Sequence, residues 1–162
     1  MAGIKNFIAA IVLLALIAGV GFAQERRQTD LDFLLTKSDR FDNYSEDFLA
    51  LSKSAKGEDW NAPNALFSTA TAVQDYVFAA LSLLTIYENL SCQSDRAMAW
   101  AVLKSRLDYY ARQIDHHIEA VNIRLSQVRI PAVAASGTQM KEDMRGLKMF
   151  FESIRPKPEG DK

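Results

Sequence analysis

The side chains best suited to chemistry cluster at Asp115-His116-His117-Ile118-Glu119. On a helix, His116 and Glu119 stand three residues apart and Asp115 and Glu119 four apart, so each pair shares a face. A carboxylate beside a histidine can ligate a divalent metal when other helices supply more ligands, as the paired Glu-x-x-His motifs of di-iron bundles do. Here the order is reversed and the motif occurs once, and the apolar stretch at 61–90 offers only Asp75 and Glu88 as acidic partners. The ordinary reading makes His117 a hydrogen-bonded, partly buried seam residue and leaves His116 in water near Arg112. His116, His117 and Glu119 are the candidate ligand or metal residues, and no resident cofactor is expected.

Cys92 is the single cysteine, so an internal disulfide, a Cys-based structural zinc site and a CxxC redox centre are excluded. It falls between two helical stretches. There a helix N-terminus would favour the thiolate and an oxidising compartment would allow a disulfide to another chain. The ordinary alternative is a small apolar plug against the bundle end. No histidine or acid adjoins Cys92 to make a catalytic pair. A Gly-rich phosphate loop, a G-x-S-x-G elbow and an H-E-x-x-H helix are absent, and no enzyme is expected. Aromatic residues such as Tyr76, Tyr110 and Phe151, with Met140 and Met144, could line a ligand cavity. His117 with either methionine could hold a haem. At helical spacing, such residues ordinarily form core.

Charge narrows the partners. Nineteen Lys and Arg against twenty Asp and Glu leave a net charge of −1, which removes the electrostatic term nucleic-acid binding rests on. Lys104, Asp108, Arg112, Asp115 and Glu119 alternate in sign along one helix face and read as a solvated surface. Two glycosylation sequons, Asn43-Tyr44-Ser45 and Asn89-Leu90-Ser91, exceed chance little and matter only in a eukaryotic export route.

These residues must be carried by helices. The 162 residues suffice for one ordinary domain, and 49% apolar with 24% charged side chains predicts a packed core. Glycine and proline are sparse, helical periodicity runs between them, and no period-2 strand is evident. The first helix is expected at about Thr29–Ala55, with Leu31, Leu34, Leu35, Phe41, Phe48 and Leu51 inward and Ser38 and Ser45 interrupting the stripe. Gly57 then suits a left-handed C′ position. The second runs from an Asn61 cap to about Asn89, its apolar face widened by Phe67, Phe78 and Leu83. The third, capped by Ser94, runs to about Arg129, with three-four spacing over roughly four heptads and a length of about 50 Å. The fourth is capped by Thr138 and ends near Ile154, with 132–137 as a small-residue connection or its continuation. Short loops between four amphipathic helices predict an all-α, antiparallel up-down-up-down four-helix bundle.

Residues 1–23 read as a signal peptide: Lys5, an apolar run from about Phe7 to Ala18, then Gly21 and Ala23 at −3 and −1. Cleavage after Ala23 is expected, giving a bundle domain at 24–155 and a disordered tail at 156–162. The alternative is an uncleaved anchor, at the short end for a bilayer span. The resulting expectation is an exported, periplasmic or secreted, non-enzymatic bundle acting through protein–protein contact, with self-association through the second and third helices the simplest version. Two other readings are a carrier of a small ligand, haem or metal, and a bundle tethered by its N-terminal segment.

Overall fold

The structure is a computed structural model and describes residues 29–55 and 57–155. The expected signal peptide, the cleavage point at Ala23 and the 156–162 tail lie outside the described residues. Within them are four α-helices and one 3-10 turn, with no strand: α1 at 29–54, the turn at Gly57–Trp60, α2 at Asn61–Asn89, α3 at Gln93–Leu125 and α4 at Pro131–Ser153.

Every helix buries a seam whose spacing alternates three and four. On α1 it is Leu34, Ser38, Phe41, Ser45, Phe48 and Ser52. Large apolar and small hydroxyl residues therefore each recur every seven residues. Ser45 and Ser52 donate to the carbonyls of Phe41 and Leu49 on their own helix, so burial leaves neither hydroxyl unpaired. Leu35 of the expected stripe is 48% exposed, whereas Leu31 and Leu51 pack partly buried against the core, with Ser52 beside Leu51 fully inward. Leu34, Phe41 and Phe48 of the expected stripe are fully buried, and heptad position is what separates them from Leu35. On α2 the seam is Pro63, Leu66, Ala70, Val73, Val77, Ala80, Leu84 and Tyr87. Phe78, expected to widen this face, points outward.

Contacts between helices fix their order and direction. Ser45 meets Thr71, and Asp42 meets Gln74, so α1 and α2 are antiparallel neighbours. Tyr76 stacks on Tyr110, and Tyr87 packs on Trp100, which sets α3 antiparallel to α2. Lys141 bonds Asn122 and Lys148 bonds Asp115, joining α4 to α3 in the same sense. Phe33 stacks on Phe150 and Tyr44 bonds Asp143, closing α4 onto α1. The bundle is all-α, antiparallel and up-down-up-down, in the cyclic order α1-α2-α3-α4.

The helix ends depart from expectation for local reasons. The helix α3 stops at Leu125, short of Arg129, because Gln127 and Val128 bond back only three residues, to Arg124 and Leu125. Pro131 then holds Ile130 extended and itself opens α4, where its missing N–H costs nothing. The fourth helix thus begins one and a half to two turns before Thr138, whose hydroxyl donates within the helix to Ala134 and caps nothing. The small residues at 132–137 are its first turns. Gly137 sits in the seam, where a Cβ would lie 2.7 Å from Leu125 Cδ2 and 3.3 Å from Leu66 Cδ1. At the other junctions the N-cap positions are Trp60 and Cys92, neither with a side-chain capping bond, in place of the expected Asn61 and Ser94. The 3-10 turn runs straight into α2, so Trp60 is already helical in conformation.

The adjoining leucines test this register. Leu34→Ala should cost about 2–5 kcal/mol in urea unfolding, whereas Leu35→Ala should stay within about 0.5 kcal/mol of wild type. Equal losses would mean that α1 packs in another rotation.

Candidate functional site

The Asp115–Glu119 segment lies in the second half of α3 and its members diverge. His116 and Glu119 are exposed, and Asp115 is held by Lys148 of α4 at 2.6 Å. His117 turns toward α2, where its Nε2 lies 3.4 Å from the Tyr76 hydroxyl and its ring 5.9 Å from the Tyr76 ring. Burial pushes the His117 pKa below the ordinary imidazole value, and His116 beside it adds to the shift. Among the described residues, no group of three or more His, Cys, Asp or Glu is placed to hold a metal ion. The pair His116 and Glu119 share a face of α3 that no second ligating helix approaches.

Cys92 is exposed at the N-cap of α3, with Sγ 3.1 Å from Ser94 Oγ. Bonding to the Ser94 hydroxyl, then to the backbone N–H groups of Asp95 and Ser94, lowers its pKa. The thiol stands free of the bundle core, which suits exchange with an outside thiol better than plugging a loop.

The aromatic residues form a layer through the bundle. Phe33 stacks on Phe150, which meets Phe151; Phe151 meets Tyr110, and Tyr110 stacks on Tyr76 at 5.2 Å. Met140 and Met144 are fully buried in the α4 seam while His117 faces α2, so the residues that could have held a haem belong to different surfaces of the interior. A cavity of about 30 Å³ at the bundle end, lined by Asp59, Pro63, Gln127, Val128, Ile130 and Val133, has room for one water-sized body.

Sequence reasoning missed the most strongly coupled polar group. Asp143 is buried on α4 and accepts from three α1 side chains. Lys37 Nζ lies 2.6 Å from Oδ1, Arg40 bridges both oxygens at 2.8 and 3.0 Å, and the Tyr44 hydroxyl lies 2.7 Å from Oδ2. Burial alone would raise the carboxyl pKa, but the hydrogen bonds from Lys37, Tyr44 and Arg40 outweigh it and hold the group below the ordinary range. Burial first, and then the bond to Asp143, pushes the Tyr44 hydroxyl up. Both carboxylate oxygens are occupied, so Asp143 is an ion-pair tether between α1 and α4 with no free base to offer. The available signal was Lys37, Arg40 and Tyr44 at helical spacing on one face, opposite a carboxylate beside a seam position.

The outer face of α2 is the second missed feature. Its 29 residues carry two charges, Asp75 and Glu88, and Phe78 and Ile86 are 49% and 56% exposed. It is long and apolar enough to cross a membrane by composition, yet its seam is core of the bundle. The pairs Tyr76–Tyr110 and Tyr87–Trp100 set the register that brings exposed Tyr109 and Val102 of α3 to the levels of Phe78 and Ile86. This is a weakly charged apolar surface on a protein that otherwise has a mixed-charge exterior.

Asp143→Asn should destabilise the fold by roughly 2–4 kcal/mol at neutral pH, below the full buried-pair cost because Arg40 is half in water. Because its folded pKa is lowered, Asp143 stabilises above the ordinary carboxylate pKa, and that contribution is lost as pH falls through the folded value. The gap between wild type and variant in urea midpoints should therefore close in acid; a pH-independent gap would mean the pair is not formed. For His117 the proton prefers the unfolded chain, so stability should fall as pH drops through about 6.5. Its imidazole NMR titration should show a midpoint below that value, and an ordinary midpoint would contradict its burial.

Comparisons with protein-family models, with curated proteins and with solved structures find no match to this chain.

Proposed function

We propose that this chain is an exported, non-enzymatic helical-bundle protein that acts through protein–protein association, with the outer face of α2 and the adjoining edge of α3 as the contact surface. The observation that carries the reading is the half-exposure of Phe78 and Ile86 on a helix with two charges in 29 residues. Apolar side chains left in water on a charge-poor face gain by burial, about 25 cal/mol per Å² covered, and such patches mark interaction surfaces. A non-enzymatic role accords with the saturated Asp143 and with the separation of His116, His117 and Glu119. Export accords with the apolar run and small −3 and −1 residues at 1–23. The compartment is then periplasmic or extracellular.

Native mass spectrometry of the chain purified from the exported fraction, without reductant, tests the reading. The expected species starts at Gln24 and carries a second polypeptide, identified by its mass, which Phe78→Glu removes. A lone monomer, indistinguishable from Phe78→Glu at every concentration, would overturn association. A small-molecule adduct in place of a polypeptide would favour the carrier reading instead.

A further inference from the structure

We propose that the partner on this face is a second copy of the chain, docked α2 to α2, antiparallel, about a two-fold axis at Ser82; the proposal rests on the association reading above. The outer stripe of α2 runs Asp75, Phe78, Ser82, Ile86 and Asn89. Phe78 and Ile86 stand four residues either side of Ser82, and Asp75 and Asn89 seven either side. A two-fold at Ser82 therefore sets Phe78 against Ile86 of the second copy, twice, and Asp75 against Asn89 of the second copy. The large apolar side chains meet each other, while the small Ser82 at the centre lets the two backbones approach. Charge selects the antiparallel sense: a parallel pair would set Asp75 against Asp75, whereas here the only charge on the stripe meets an amide.

The polar side chains on the stripe oppose burial little. Ser82 donates to the Phe78 carbonyl at 2.9 Å, Thr85 to Leu81 at 2.8 Å, and Asn89 Nδ2 to Thr85 at 2.8 Å, all on their own helix. The Ser82 and Thr85 hydroxyls are satisfied before a partner arrives, and Asn89 keeps one amide N–H free to meet the Asp75 carboxylate of the second copy. A foreign partner would have to present a matching neutral helix; a second copy has one by construction. A single helix pair with its flanks falls at the low end of interface sizes, below about 1,200 Å², so the dimer should be reversible and concentration-dependent.

The test uses Ser82→Cys in a Cys92→Ser background, since Cys92 is exposed and its removal spares the core. With a mild oxidant, Ser82→Cys should cross-link to a dimer, whereas Gln139→Cys on α4, diagonal to α2, should not. Ile86→Glu or Phe78→Glu should weaken self-association at least about tenfold in sedimentation equilibrium. Both side chains are half in water, and an unchanged cooperative melt by circular dichroism confirms the fold. Dimers that form without Ser82→Cys cross-linking and ignore Ile86→Glu would overturn this pairing and leave association standing through another face. A monomer whose Phe78-dependent partner is a different polypeptide would overturn the second copy and keep the association reading. A monomer that instead floats with phosphatidylethanolamine–phosphatidylglycerol vesicles in an Ile86-dependent way would overturn both in favour of a membrane surface.

Discussion

Each helix buries a seam of residues at three-four spacing, and the rest of the structure is arranged around those seams. The seam of α1 alternates Leu34, Phe41 and Phe48 with Ser38, Ser45 and Ser52, so large and small side chains recur in strict register. Interlocking needs this variation: α2 likewise sets small Ala70 and Ala80 among Leu66, Val73, Val77 and Leu84 along its seam, and Gly137 takes a seam place on α4. At Gly137 the fit is close enough that an added Cβ would force Leu125 to move. The side of each helix away from its seam lies on the surface, and the chemistry of that surface differs from helix to helix.

The ion pair at Asp143 acts on top of the seam. Apolar packing alone permits neighbouring helices to slide by a heptad with modest loss, because each seam nearly repeats. One carboxylate on α4 matched to Lys37, Arg40 and Tyr44 on α1 admits a single register, since any slip leaves a buried charge uncompensated. The closing pair of the bundle, α1 with α4, is also the pair with no connecting loop to align it. A specific polar lock is most useful there.

The surface carries the remaining distinction. Charged residues crowd α1, α3 and α4, whereas α2 has two and exposes Phe78 and Ile86. A helix whose polar side chains mostly bond their own backbone is prepared to lose water, and that property links the core helix of the fold to its proposed use.

The sequence by itself determined the fold class, the number of helices among the described residues and their rough extents. Hydrophobic period, scarce glycine and proline, and short connections are local properties that a bundle of this kind must satisfy. What the sequence left open is set by which neighbour each face meets. Leu34 and Leu35 are chemically alike, and only the rotation of α1 against its neighbours separates a core residue from a surface one. Asp143 reads as a solvated carboxylate until α1 brings Lys37, Arg40 and Tyr44 to it from about a hundred residues away. The divergence of His117 from His116 was legible, because residues one apart on a helix point about 100° from each other, but only packing supplied Tyr76 as the neighbour of His117. At 132–137 the sequence left two readings, a connection or a continuation of the fourth helix, and burial of Val133 and Gly137 in the seam goes with the helical one. Tertiary structure decided partnership, because the energy of burying a side chain depends on what covers it.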